Sequence, residues 1–184
     1  MAVKTYQYGD TTQLSEHFRA SEFRCKCGKA HIFSVDEDLV KLLEKLRAAL
    51  ECSSITVSSG FRCTAHDKAV GGTGNGQHTL GKAADICCHD KDGNIIDTKL
   101  VCCAAQDIGF GGIARINDRN THVDTRAKTW RGDETKGNSY CIPQADFYDY
   151  FGIERPAPAA QPVEGVEIEL AIGGKRYKGT VYPQ

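Results

Sequence analysis

Three observations in the pattern of the chain agree with an α+β fold without singling it out. Leu39, Leu42, Leu43, Leu46, Ala49 and Leu50 recur at helical spacing behind a Ser34-x-x-Glu37 capping box. Short apolar or β-branched runs at Ile55–Ser58 and in AADICC, from Ala83, read as strands. GGIARIN and THVDT flank the turn residues Asn117 to Asn120 and read as a hairpin.

Taken in order, residues 1 to about 33 look irregular, with LSEHFRASEFRC offering a short helix or turn. Cys25-x-Cys27-Gly28 followed by His31 has the look of half a structural zinc site. C-x-C is not the usual knuckle spacing, however, and no second pair follows at a convincing distance, so buried thiols beside a turn glycine are the preferred reading. The amphipathic helix from Ser34 to about Glu51 supplies core. The strand at Ile55–Ser58 stops at Ser59-Gly60 and leaves Arg62 at its end, where a rigid element can hold a side chain over a cleft.

TAHDKAV makes one or two helical turns before the loop GGTGNG. That loop matches neither phosphate-binding spacing, G-x4-G-K-[ST] or G-x-G-x-x-G, and is expected to be a flexible wall of a site. DKDGNII turns into a further strand, Asp97 caps a helix over TKLVCCAAQDI, and Gly109 ends it. Ala145 to Phe151 forms a last short helix. Residues 153–165 have the Pro/Ala composition of a linker, and residues 166–184 alternate around Gly173-Gly174 as a β-hairpin appendix. A lone hairpin is marginal in water, so it is expected to dock on its own domain, another subunit or a larger assembly. Residues 1–152 form the main domain.

The composition excludes several classes. At 184 residues, 26% charged and 40% apolar, the chain is an ordinary globular one. A net charge of −1 without a basic stripe argues against nucleic acid, and no run is long enough to span a membrane. The polar start MAVKTYQYGDTTQLSEHF lacks the apolar region of a Sec signal, so synthesis in the cytoplasm is expected, with any release to the cell wall by a non-Sec route. Nine cysteines cannot all pair within one chain, and Cys87-Cys88 and Cys102-Cys103 are expected to pack as small hydrophobes.

The chemistry concentrates in three places. His78 and Asp85 stand as H-x6-D, and His122 lies in THVDT; together they offer the His and carboxylate set that a catalytic zinc takes, with one position left for water. Alternation along a strand turns Asp85 away from Ala84 and Ile86, and puts His122 and Asp124 on one face with Val123 on the other. Two roles suit Asp124: general base towards the attacking water, or an acceptor that orients a ligand imidazole. Asp67 and Asp118 are weaker candidates for a base. Arg62 suits a substrate carboxylate or a developing oxyanion. Each of these residues also has an ordinary structural explanation.

SSGFRCTAHDKAVGG, GQHTLGKAADI and THVDTRAKTW, in that order, resemble the M15-type zinc D,D-peptidases, which share a fold with the Hedgehog signalling domain. The resemblance runs from about Leu14 to Gly152. It implies an α+β domain whose small antiparallel sheet carries one zinc ion, with helices packed against the sheet. It assigns the zinc ligands to His78, Asp85 and His122, substrate binding to Arg62, and a cleft wall to Trp130. His66 matches a loop position and is expected to serve structure.

Two departures stand out: Gly76 replaces the serine usual two residues before the first ligand, and Arg119 replaces an acidic residue that several branches carry three residues before the last histidine. The first removes a supporting hydrogen bond or loop restraint, and the second leaves Asp124 as the expected base. The implied activity is zinc-dependent hydrolysis of a peptide bond in bacterial peptidoglycan stem peptides, of carboxypeptidase or endopeptidase type, as in a phage or prophage lysin. The alternative is a zinc-stabilised module of the same fold that binds a peptide or protein without cutting it. A cysteine-based redox protein is disfavoured, because the chain has no C-x-x-C.

Overall fold

The computed structural model describes residues 2–137, 141–142, 146–156, 166–172 and 175–181. Its contacts divide it into two units, Met1–Ile153 and Glu154–Gln184. The first is an α+β unit, in keeping with the pattern of helices and strands in the sequence.

The amino-terminal region is more ordered than its sequence suggests. Strand β1 (Val3–Tyr6) pairs antiparallel with β2 (Phe33–Asp36), so Ser34 is a strand residue and not a helix cap. Asp36 caps α1 (Glu37–Ala49) instead, accepting from the Asp38 N–H. This cap is fully buried and also accepts from the Thr125 hydroxyl at 2.6 Å, which ties the helix start to the loop after the last strand of the site. Sheet pairing with β1 moved the helix start, and that pairing is invisible to a local capping rule.

Helix α1 buries Leu39, Val40, Leu43 and Leu46, as its spacing requires. It packs on α3 (Thr98–Ile108), which Asp97 caps and Gly109 ends in the left-handed region at φ 101°. Cys88, Cys102 and Cys103 are buried in the apolar core, the packing role expected of them, whereas Cys87 is buried on the Asp85 face of the strand Ala83–His89 with its sulfur 3.8 Å from His89 Nε2. Helix α4 (Phe147–Phe151) closes the far side of α3.

The central sheet has five strands in the order β3-β4-β6-β5-β7. Strands β3 (Ser54–Ser59), β4 (Ala83–His89), β6 (Thr121–Asp124) and β5 (Gly112–Arg115) pair antiparallel. Strand β7 (Trp130–Asp133) runs parallel to β5, so the sheet that carries the site is mixed and not wholly antiparallel. The cause is the short connection after β6, which crosses the end of β5 before the chain enters β7. At the crossing, a Cβ on Gly111 would stand 1.8 Å from the Arg126 carbonyl oxygen, so only glycine fits there. The strand expected from DKDGNII reduces to one bridge, His89 to Ile95, before Asp97 starts α3.

Alternation divides the sheet into a core face and a site face. Ala84, Ile86, Ile113 and Val123 are almost fully buried in the apolar core. Asp85, His122, Asp124, Gly112 and Ala114 fall on the opposite face. Helix α2 (Thr64–Ala69) and the glycine-rich loop lie between β3 and β4 in the chain.

In the second unit, β8 (Val166–Ile172) pairs antiparallel with β9 (Lys175–Val181), with Ile172 opposite Lys175. The Gly173-Gly174 turn and most of the linker, from residue 157 to 165, lie outside the described residues. Among the described residues no helix is long and apolar enough to cross a membrane.

Candidate metal centre

Strand register brings two of the three expected ligands together, because Asp85 on β4 is directly opposite His122 on β6. His78 arrives from the turn after the glycine-rich loop. The Gly81 carbonyl at the end of that turn accepts from the Asp36 N–H at 2.8 Å, which ties it to β2. The Arg62 N–H donates to the His78 carbonyl at 3.2 Å, joining the two ends of the Ser58–Asp85 stretch.

The three ligating atoms form a nearly equilateral triangle. His78 Nε2 lies 3.2 Å from Asp85 Oδ1 and 3.2 Å from His122 Nδ1, and His122 Nδ1 lies 3.0 Å from Asp85 Oδ1. Ligands about 2.0–2.1 Å from a tetrahedral zinc stand roughly 3.3 Å apart, so the dimensions fit.

The hydrogen bonds outside the triangle fit as well. His78 Nδ1 is 2.7 Å from the Gly60 carbonyl, which only accepts, so that nitrogen carries the hydrogen and Nε2 presents a lone pair. His122 Nε2 donates to Asp124 Oδ2 at 3.0 Å, which leaves the Nδ1 lone pair aimed at Asp85 and His78. Three acceptors facing one another at this distance repel unless a cation sits among them.

The protonation equilibria reflect the same demand for positive charge. Burial opposes the charged form of His122, but its hydrogen bonds to Asp124 and Asp85 outweigh that and raise it to about 9. Burial pushes Asp85 upward, yet the imidazoles of His122 and His78 hold it well below the usual carboxylate range. Without a metal, a proton on His122 supplies the missing charge.

Asp124 is fully buried, and its carboxylate is occupied on both oxygens. It accepts from the Arg126 backbone N–H and from the Arg126 guanidinium in addition to His122. Burial would raise its pKa, but His122 and Arg126 hold it well below the normal value. Gly112 makes room for it: a Cβ there would stand 2.1 Å from Asp124 Oδ2. Gly112→Ala is therefore expected to cost about 1–3 kcal/mol of stability and to weaken metal uptake, read by denaturant unfolding and metal titration.

Arg62 is bound within the protein. Nη2 donates to Asp85 Oδ2, Nε to Ser59 Oγ at 2.8 Å, and Nη1 approaches Asp67 Oδ1 at 3.4 Å. Asp67 is itself buried and accepts from the Gly74 N–H at 2.8 Å, so it pins the glycine-rich loop that forms one wall of the cleft. Trp130 stands edge-on to His122, with ring centroids 6.1 Å apart, and carries the Arg126 guanidinium over its face at 4.8 Å. His66 sits on α2 and is not among the residues lining the cleft. A Cβ at Gly76 would meet only Thr73 Oγ1, at 3.7 Å, so the position usual for serine is open.

The cleft measures about 430 Å³, and its lining includes an ionisable residue that the sequence motifs do not flag, Glu134. It follows β7 immediately. Alternation along β7 puts Trp130 and Gly132 on the site face, and Glu134 opens the short 3-10 helix (Glu134–Lys136), capped by Asp133, that follows the strand at the cleft. Burial and the nearby Asp85 charge raise its pKa, against the opposing pull of His122, Arg62 and His78.

The family model for Peptidase M15 matches residues 16–124, more than half of the chain, and the match ends on Asp124. The chain belongs to the Peptidase M15 family. M15 peptidases are generally zinc-dependent, and His78, Asp85 and His122 form one of two groups able to hold a metal among the described residues. No curated protein matches the chain. Trp130 and Glu134 both lie beyond the matched M15 segment; the motif resemblance already pointed to Trp130, whereas tertiary position alone links Glu134 to the centre.

Proposed function

We propose that this chain is a zinc-dependent peptidase that hydrolyses a peptide bond in the stem peptides of bacterial peptidoglycan. The observation that carries the reading is the triangle of His78, Asp85 and His122 opening on a cleft that also holds Arg62, Trp130 and Glu134. Membership of the M15 family supports the reaction class. The order of the S-G-F-R, H-x6-D and H-V-D motifs, similar to that of the D,D-peptidases, supports the substrate class.

Zinc, when bound, would polarise the scissile carbonyl and acidify a water molecule. The Gly60 carbonyl and the Asp124 carboxylate fix the orientation of His78 and His122, so that Nε2 of His78 and Nδ1 of His122 would face the metal. Asp124, with both oxygens occupied, serves as the orienting acceptor for His122. Glu134 takes the base role: among the described residues no hydrogen bond or ion pair holds its carboxylate, and burial raises its affinity for a proton. It accepts the proton of the attacking water and returns it to the leaving amine. Arg62 stabilises the carbonyl oxygen as it becomes negative while holding Asp85 in place. Trp130 forms a wall against which the peptide lies.

Purified peptidoglycan incubated with the zinc-loaded protein, followed by mass spectrometry of the released peptides, tests this reading. New peptide termini are expected with the loaded protein and none after chelation. Binding to the wall polymer without cleavage by the loaded protein would replace the peptidase with a non-catalytic binding module. Equal cleavage by metal-free protein would rule out the scheme.

A further inference from the structure

The C-x-C pair Cys25 and Cys27, which reads in the sequence as no more than half a zinc site, meets Cys63 in space. Cys25 and Cys27 follow a short 3-10 helix (Ala20–Phe23), Cys63 follows Arg62 directly, and the three sulfurs lie within 4.8 Å of one another. His31 joins them, with Nε2 3.1 Å from Cys27 Sγ. Gly28, at φ 78°, makes the turn that returns the chain so that His31 reaches Cys27.

We propose that Cys25, Cys27, His31 and Cys63 form a second, structural zinc site of Cys3His composition, separate from the cleft.

The donor set is the one that closed structural zinc sites use, with three thiolates and one imidazole filling all four positions. Sulfurs about 2.3 Å from a tetrahedral zinc stand roughly 3.8 Å apart, so the observed cluster needs only small side-chain adjustments. Backbone N–H groups already point at two of the sulfurs. The Cys63 N–H donates to Cys25 Sγ and the His66 N–H to Cys63 Sγ, each at 3.4 Å.

Apolar packing does not explain the group. Cys88, Cys102 and Cys103 sit in the apolar core, whereas Cys27 and Cys63 are partly exposed and Cys27 faces an imidazole. All nine cysteines are free thiols, so no disulfide accounts for the convergence. The fourth ligand was illegible in the sequence because Cys63 lies far along the chain and belongs, by spacing, to the Arg62 motif.

The site would clamp two segments that are already in close contact. The Phe61 N–H donates to the Phe23 carbonyl at 2.7 Å, and a Cβ on Gly60 would stand 2.6 Å from Phe23 Cα. Gly60 and Arg62 are also the residues that orient His78 and Asp85. A metal at Cys63 therefore anchors the strand end that sets the cleft, and its binding energy adds to folding energy.

Metal analysis and cobalt substitution test the proposal on the full chain. Two zinc ions per chain are expected for the native protein, and one each for His78→Ala and for the double variant Cys27→Ser/Cys63→Ser. The cobalt form of the native protein should show thiolate-to-metal charge-transfer absorption. That band should persist in His78→Ala and disappear in the double variant. The His78→Ala result needs no intact cleft and no hydrolysis, so it stands or falls apart from the peptidase reading, and it survives a failure of the cysteine variant to fold. A single zinc in the native protein with no such band, or a disulfide between any two of these cysteines in the metal-treated protein, would overturn the site.

Discussion

Glu134→Gln is expected to lower turnover by about 10²–10⁴-fold while leaving zinc content and KM nearly unchanged. Glutamine keeps the size and polarity of the side chain but cannot accept the proton of the attacking water. The effect should therefore fall on kcat, because the lost interaction belongs to the transition state. Single-turnover hydrolysis of a purified stem peptide, with metal content measured on the same sample, provides the test. Full turnover by a zinc-loaded Glu134→Gln protein would remove Glu134 from the mechanism and return the base role to another group.

His78→Ala is expected to abolish both metal binding in the cleft and hydrolysis. It removes one corner of the triangle and leaves Asp85 facing His122 alone. Asp124→Asn probes the supporting layer and separates the two roles open to Asp124. As an orienting acceptor, it should weaken zinc binding by about 10–100-fold when replaced, because the His122 hydrogen bond and the Arg126 ion pair are both disturbed. As a general base, it would leave zinc affinity intact and remove turnover only. Zinc titration with a competing chelator distinguishes these outcomes, and an unchanged affinity would refute the orienting role.

Much of the fold and of the cleft was legible in local patterns. The spacing of Leu39, Leu43 and Leu46 marked α1, and Asp97 with Gly109 marked both ends of α3, because helix periodicity and caps are properties of short windows. THVDT showed, by alternation alone, that His122 and Asp124 share a face. Strands β1, β2 and β7 were harder to see. Their pairing partners lie far away in sequence or across a crossover, and short strands have little pattern of their own.

By itself, the sequence determined the three metal-ligand candidates, the arginine beside them and the helices that back the sheet. These rest on residue identity, order and local spacing. Only the tertiary structure decided how the carboxylates divide their work. Asp124 reads as a base or an orienter with equal ease until Arg126 and Gly112 close around it, and Glu134 acquires a role only when β7 lies parallel to β5. The same holds for Cys63, which becomes a neighbour of Cys25 only when the chain folds. Proton affinity and metal geometry depend on distances of a few ångströms between groups remote in the chain, and folding alone sets those distances.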